Sequence, residues 1–513
     1  TPPEAWESLV PSEEPRRVAL YAHFEVPGRG AFPSAPHDSS RPFLARETIR
    51  TEGSTGDSPA ANTSQIPFPP PIATSYSIDM ETPQPSRRSF LGTSLSATVA
   101  TVAAGAAATG PNLLLGQAKG ANSRFRVGVM GLGRGRAHIK AYLDVPNTEI
   151  AYLCDVDSNR LVTGASTMEG KQEKAPDKVT DFRRILDDPN VDAISIAAPN
   201  FWHSPAAILA MKAGKNVYVE KPASYSAHES MRLVEVAKET GRTIMMGNQR
   251  RSYPGVKLGI EKLRSGVIGE LRYARSWYAA ARESIGKGKI TQPPAELDWL
   301  MWQGPVPDAP YKDNLVPYNW HWHWLYGGGE LANNGPHGLD IARWALGVDY
   351  PERVSCTGGR YHYDDDQETP DTISAVYDFG KVGITWEATS CHQRKPEPLP
   401  FVSIYGSEGK FDFNSAAGWI AFDKAGKEIA KHTEAPGDVP HFTHFADAVR
   451  EGKPVPQSIA DAQISTMLCH LGNIAYRSTG SIQVDPKTGR LAPNQAQAEP
   501  FWARQAYREG WVV

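Results

Sequence analysis

The sequence predicts an α/β protein whose first folded domain is a doubly wound parallel sheet. Three observations carry this. Short apolar runs alternate with helical stretches and short loops between residues 125 and 250, a glycine-rich turn follows the first of those runs, and polar residues gather where the later runs end. At 513 residues the chain exceeds what one hydrophobic core fills, so two or more domains plus appended segments are expected. A net charge of −3 provides no basic field for a nucleic-acid backbone, which excludes that partner class and favours a small molecule. The four cysteines, Cys154, Cys356, Cys391 and Cys469, are too dispersed for a zinc site or a disulfide framework, so no metal is expected.

Residues 1–79 are rich in Pro, Ser, Glu and Arg and include Pro67-Phe68-Pro69-Pro70-Pro71. Such a stretch buries too little apolar surface to offset chain entropy, and it is expected to be disordered and outside the mature protein. From Met80 a polar segment leads to Ser86-Arg87-Arg88-Ser89-Phe90-Leu91 and an apolar, small-residue run over 95–108. Paired arginines before a modest hydrophobic region resemble a twin-arginine export signal. The run is shorter than the ~20 apolar residues a membrane span requires, so no stable membrane insertion is expected once the signal is removed. Residues 80–118 are read as signal and linker, with a periplasmic destination.

The first domain is expected over 121–250. Residues 125–130 are apolar on both faces, as a strand covered on both sides should be. They break into Gly131-Leu132-Gly133-Arg134-Gly135-Arg136 and then a helix over 136–143, an arrangement that brings backbone N–H groups to a pyrophosphate. Gly131 and Gly133 fit a dinucleotide-binding turn, but the third glycine arrives one position early at Gly135, with Arg136 in its place. A turn one residue shorter than usual accounts for this, with Ala137 supplying the close helix packing. A second strand over 149–154 ends in Asp155, 24 positions after Gly131, near the spacing at which a carboxylate accepts hydrogen bonds from an adenosine ribose. A carboxylate there repels a 2′-phosphate and favours NAD, while Arg160 close by keeps NADP as the alternative.

Further strands are expected at 193–198, 216–219 and 243–246, with helices at 205–213 and 227–239. The strands end in Pro199-Asn200-Phe201-Trp202-His203, in Glu220-Lys221-Pro222 and in Gly247-Asn248-Gln249-Arg250-Arg251. Pro199, Asn200, His203, Glu220, Lys221 and Asn248 therefore line the expected ligand edge and join the turn as candidate cofactor contacts.

In this order Gly-x-Gly, Pro-Asn-x-x-His, Glu-Lys-Pro and Gly-Asn-Gln resemble the Gfo/Idh/MocA family of oxidoreductases, over about residues 123–476. The resemblance implies an N-terminal Rossmann domain followed, at 251–480, by an α/β domain on a large, mainly antiparallel sheet used for homo-oligomer contacts, as a dimer or tetramer. Strand-like runs at 271–280, 354–363, 372–379, 382–390, 401–405 and 419–422, and helices at 441–451 and 458–477, suit that layout. Residues 481–513 read as an arm, extended from Asp485 onward with a short terminal helix. No internal repeat is seen.

Removal of hydride from a sugar carbon requires the hydroxyl proton to leave as well, and a lysine beside a cationic nicotinamide can have its pKa lowered towards a general base. The resemblance gives Lys221, the lysine of Glu-Lys-Pro, that acid/base role. The cluster Gly327-Gly328-Gly329-Glu330-Leu331-Ala332-Asn333-Asn334-Gly335-Pro336-His337-Gly338-Leu339-Asp340 resembles the family's Asp-x-x-x-His pattern, with His337 at the histidine and Asn333 where many members carry Asp. An amide cannot take a proton, so proton transfer would fall to Lys221 and His337, with Asn333 orienting a hydroxyl. Asp340 is read as structural, holding backbone N–H groups or Arg343. Seven of the thirteen tryptophans fall between Trp277 and Trp344, which reads as a carbohydrate pocket or as core packing. His321-Trp322-His323 is a weak metal pattern.

The expected activity is NAD(P)-dependent oxidation or reduction of a sugar or polyol, with the cofactor tightly held because an exported enzyme has no evident pool to reoxidise released NADH. Two alternatives stand beside it: a redox-dependent glycoside-cleaving enzyme on the same scaffold, and a nucleotide- and sugar-binding protein without turnover. N-terminal sequencing should find the expressed precursor starting at Met80 and the exported form starting after Ala108 or Ala118; precursor material upstream of Met80 would contradict this reading.

Overall fold

The computed structural model describes residues 124–391, 399–414, 417–478 and 480–511. The segments expected to be disordered and to carry an export signal lie outside them. The first domain is a six-stranded sheet of β1 (Phe125–Met130), β2 (Thr148–Cys154), β3 (Asp177–Val179), β4 (Ala193–Ile196), β5 (Asn216–Val219) and β6 (Ile244–Met246). Every pair is parallel and the order is β3-β2-β1-β4-β5-β6, the doubly wound order that places a ligand crevice at the carboxyl ends of β1 and β4. Helices α1 (Gly135–Leu143), α2 (Ser158–Ser166), α3 (Arg183–Asp187), α4 (Asn200–Lys212) and α5 (Ala227–Thr240) make the crossovers.

Helix α4 starts five residues before the expected Pro205. A proline inside a helix leaves the carbonyl four residues earlier without its N–H partner. Here that carbonyl belongs to Phe201, and Arg504 supplies the missing donor through Nη2 at 3.1 Å.

The second domain follows α6 (Pro254–Arg264). It is a nine-stranded sheet of β7 (Leu271–Ala279), β8 (Arg353–Gly359), β9 (Thr372–Asp378), β10 (Gly383–Thr389), β11 (Val402–Gly406), β12 (Gly409–Phe413), β13 (Trp419–Asp423), β14 (Glu428–His432) and β15 (Ser481–Gln483). The order is β14-β13-β12-β11-β7-β10-β9-β8-β15, antiparallel except between β7 and β10. The fold is therefore the α/β pairing of a parallel and a mainly antiparallel sheet. Between β7 and β8 lie α7 (Trp299–Gln303), α8 (Gly329–Asn333) and α9 (Gly335–Leu346), and α10 (Val439–Glu451) and α11 (Ile459–Arg477) follow β14. Helix α10 returns to the first sheet, where Phe442 stacks on Tyr218 with ring centroids 4.6 Å apart and Phe445 meets the edge of Phe125 at 5.9 Å.

A buried ion pair joins the two domains. Arg251, just beyond β6, donates from Nε and Nη2 to the Asp340 carboxylate of α9 at 2.7 and 2.9 Å, and both residues are almost fully buried. Ser465 (2.6 Å), Gln457 (3.2 Å) and Asn248 (3.3 Å) donate to the same carboxylate. Burial opposes ionisation, yet Arg251 and these donors hold Asp340 well below the usual carboxylate range. Asp340 is structural, as expected, but its main partner is Arg251; Arg343 is occupied by Asp349, Asp461 and the Val348 carbonyl.

Replacing Asp340 by Asn leaves a buried guanidinium without its counter-charge and should cost about 3–5 kcal/mol of stability at pH 7 in urea unfolding. Because the folded pKa is depressed, the wild-type advantage is present above the unfolded value of about 3.9 and should shrink as pH falls below it.

Candidate active site

The glycine turn is built as a cradle. Gly131 has φ +85°, and a Cβ there would lie 2.6 Å from the Ala197 carbonyl at the end of β4, so only glycine fits. A Cβ on Gly133 would lie 2.8 Å from Nη1 of Arg160, which places that guanidinium over the turn. At Gly135 a Cβ would lie 3.0 Å from Val129. Close helix–strand packing is therefore supplied by Gly135, not by Ala137, and α1 starts one residue earlier than expected. No side-chain hydrogen bond caps α1, which begins directly after the turn. These features fit a dinucleotide pyrophosphate.

Asp155 fastens the turn to β2. Its Oδ2 accepts from the Leu132 N–H at 2.6 Å and its Oδ1 from the Asp157 N–H at 3.0 Å. Burial pushes its pKa up, and these two N–H groups work against that. Arg134, expected on the phosphates, is committed elsewhere, with Nε 3.2 Å from Glu220 and Nη2 3.0 Å from Asp438. Arg136 sits in the first turn of α1.

The other strand ends split between site and scaffold. Pro199 precedes α4 and Asn200 opens it, buried. The ring nitrogens of buried His203 lie 2.7 and 2.6 Å from the carbonyls of Ala198 and Pro222, tying together the loops after β4 and β5. Glu220 is buried against His138 Nε2 at 3.0 Å and Arg134; burial opposes its charge, but these neighbours hold it well below the usual carboxylate range. Its Oε2 accepts from the Lys221 backbone N–H at 3.1 Å. The Asn248 amide turns towards Asp340 and Gln457, which makes it part of the interior beneath the sheet edge and not a surface of the crevice.

Lys221, followed by a cis bond to Pro222, meets the α8–α9 junction. Its Nζ donates to the Asn333 carbonyl at 2.6 Å and lies 3.3 Å from Asn333 Oδ1. Burial lowers its pKa, with Glu220 offsetting part of the effect. His337, in the first turn of α9, has a buried Nδ1 without a hydrogen-bond partner, and burial together with the cations Arg250 and Lys221 holds the ring well below the usual histidine value. Lys221 and Asn333 are thus in direct contact, His337 lies within electrostatic reach of Lys221, and the two titratable groups are both biased towards their neutral forms.

Four neighbours escaped sequence reasoning. Tyr318 Oη lies 3.4 Å from the Asn333 amide nitrogen. His321 has Nδ1 2.7 Å from the Tyr318 carbonyl and its ring stacked on Trp320 at 3.6 Å; burial brings its pKa to about 3, with Lys221 and Arg282 contributing. Arg282 pairs with buried Glu330 at 2.5 Å and lies 4.7 Å over the Trp322 ring. The one available signal was an acid inside the Gly-Ala run at Glu330, since nothing local links it to Arg282, 48 positions away.

The tryptophan cluster proves mainly structural. Trp302, Trp320 and Trp322 are buried, Trp299 stacks on Trp302, and Trp277, Trp324 and Trp344 carry the guanidiniums of Arg275, Arg477 and Arg251 on their faces. His321 and His323 have separate partners, Tyr318 and Glu368, and among the described residues no three His, Cys, Asp or Glu side chains gather as a metal-ligand set.

Residues 125–248 match the Gfo/Idh/MocA model described as an oxidoreductase family NAD-binding Rossmann fold, and residues 273–513 match the companion model for its C-terminal alpha/beta domain. Among curated proteins, a glycosyl hydrolase family 109 protein of Saccharopolyspora erythraea is 30% identical over 209 residues, 38% of this chain and 45% of the relative. Levoglucosan dehydrogenase of Pseudarthrobacter phenanthrenivorans is 27% identical over 230 residues, 44% of this chain and 51% of the relative. The matched stretch thus spans about half or less of these relatives. Among solved structures, levoglucosan dehydrogenase in complex with NADH and levoglucosan shares the fold with a TM-score of 0.56 at 19% identity, covering 70% of this chain and 99% of that one. A putative oxidoreductase from Klebsiella pneumoniae does so with a TM-score of 0.52 at 16% identity, covering 74% and 98%.

Gly131→Ala places a side chain at positive φ against the Ala197 carbonyl, which should cost about 1–2 kcal/mol for the conformation alone. Thermal unfolding should show the loss, and titration with NADH should show weakened binding; unchanged NADH affinity would remove the turn from the nucleotide site.

Proposed function

Because the chain belongs to the Gfo/Idh/MocA oxidoreductase family, whose two models together match about seven tenths of it, we propose that it is an NAD-dependent oxidoreductase acting on a CH–OH group of a sugar or polyol. The observation that carries the proton-transfer step is the seat of Lys221. The hydrogens of a neutral amine are directed to the two Asn333 oxygens at 2.6 and 3.3 Å, which leaves the nitrogen lone pair for a substrate hydroxyl. A nicotinamide dinucleotide held on the turn Gly131 to Gly135 and the start of α1 supplies the hydride acceptor. Asp155 is the proposed ribose partner, since each of its oxygens keeps a lone pair beyond the N–H it already accepts. Arg160, lying over Gly133, keeps NADP as the alternative. His337 assists from α9, and Asn333 positions the amine without adding a charge.

The name levoglucosan dehydrogenase among the relatives supports a carbohydrate substrate. The several relatives named glycosyl hydrolase family 109 favour a second reading, in which transient oxidation of a glycoside precedes cleavage. Released aglycone with no net change in reduced-nicotinamide absorbance would select it. The pair Arg87-Arg88 supports export through the twin-arginine route, a cofactor retained through the cycle suits that destination, and the family resemblance supports a homo-oligomer.

Two substitutions test the assignment. Lys221→Met should lower kcat by about 10²–10⁴-fold while NADH binding persists. Asn333→Asp places a carboxylate beside the amine, favours the ammonium and should move the acidic limb of the kcat/KM profile upward by about 1–3 pH units. An unmoved limb would detach Lys221 from the proton step.

A further inference from the structure

A cavity of about 320 Å³ lies between the loop after β5, the segment before α8, the carboxyl end of α11 and the segment 500–506. Tyr225, Trp324, Ile474, Phe501, Arg477 and Arg504 line it, and no Asp or Glu does. It is large enough for a small organic molecule.

Arg477 is the unusual element. Its guanidinium lies between two aromatic faces, 4.6 Å from the Trp324 centroid and 4.4 Å from that of Phe501. Among the described residues it has no hydrogen-bond acceptor and no carboxylate partner, although it is half-buried. Aromatic faces attract a cation, but they leave the in-plane N–H donors unused. Those donors form a planar fork that matches a carboxylate or phosphate. Burial lowers the Arg477 pKa, and Tyr225 and Glu368 only partly offset it, so the charge is under-compensated where it stands. Arg504 brings a second cation into the same wall. It is paired with Glu229 at 2.9 Å, yet its Nη1 has no partner, and neither has Oδ1 of Asn473, another lining residue.

We propose that this cavity binds a small organic oxyanion, a carboxylate or phosphate carried on a ring-sized body, with Arg477 gripping the anionic group and Leu325, Ile474 and the ring edges of Trp324, Phe501 and Tyr225 bounding the body. The site is separate from Lys221 and does not depend on the reaction assigned above. It adjoins the reaction residues through the backbone: Gly327 and Gly328 line the cavity, and α8, which begins at the next residue, ends in Asn333.

Calorimetric titration of the full chain with D-glucuronate, with inorganic phosphate and with neutral D-glucose tests the assignment. At least one of the two anions should bind with a Kd of about 1 mM or tighter. Which of them binds identifies the anionic group, and glucose should not displace it. Arg477→Gln should weaken that binding at least about tenfold. Gln505→Glu, an exposed change that adds a negative charge to the lining and leaves the interior alone, should weaken it as well. No heat from either anion at about 10 mM, or binding unchanged in both variants, overturns the proposal.

Discussion

The pairing of Arg251 with Asp340 is the contact on which the site's geometry depends. Arg251 belongs to the first domain and Asp340 to α9, three residues beyond His337. Burying two charges is costly unless their remaining hydrogen-bonding capacity is filled. Here Ser465, Gln457 and Asn248 fill the carboxylate's side, and Trp344 lies 4.2 Å beneath the guanidinium. The pair therefore acts as a registry device: it fixes the rotation of α9 relative to the edge of the parallel sheet, and with it the direction in which His337 points.

A second layer of electrostatics rests on that registry. Ionised Glu220 sits at the base of the site, shared with His138 and Arg134, and it supports the Lys221 backbone without touching the amine. At the amine, burial lowers the pKa most, Glu220 and Glu330 pull it up, and Arg134 and Arg250 push it down. Asparagine at 333 belongs to the same design, since an acceptor without charge positions the amine while letting burial keep its pKa down. Under the proposed reaction, the departure from the family's usual Asp tunes the proton affinity of Lys221.

The parallel sheet was largely legible, because strands covered on both faces read as plain apolar runs between glycine turns. Residues 156–192 were not, since β3 is three residues with no fully buried side chain and α3 is barely more than a turn. On the second sheet β12 and β14 escaped for a similar reason: each is five residues long and rich in charge, and β14 is a sheet edge with no fully buried position. Within the site, Lys221, Asn333 and His337 could be picked out because local motifs carry them. Arg282, Tyr318 and His321 are brought to Glu330 by a long connection between β7 and α8, and no short-range pattern encodes where such a connection returns. Asn248 and Arg134 show the opposite limit. Both stand at strand or helix ends where ligands gather, but their side chains are claimed by carboxylates far away in sequence.

The repair of the Pro205 gap in α4 has a bearing on how the molecule comes to be assembled. Arg504 reaches the Phe201 carbonyl across 303 positions, and it also grips Glu229 of α5, while Trp511 packs edge-on against Trp202 at 4.9 Å. The nucleotide-binding half is thus not a module that finishes folding when its own residues leave the ribosome. This donor and one of its aromatic neighbours come from about 300 positions further along the chain. A nascent first domain therefore waits, with the Phe201 carbonyl lacking this donor, until residues 504–511 have been made.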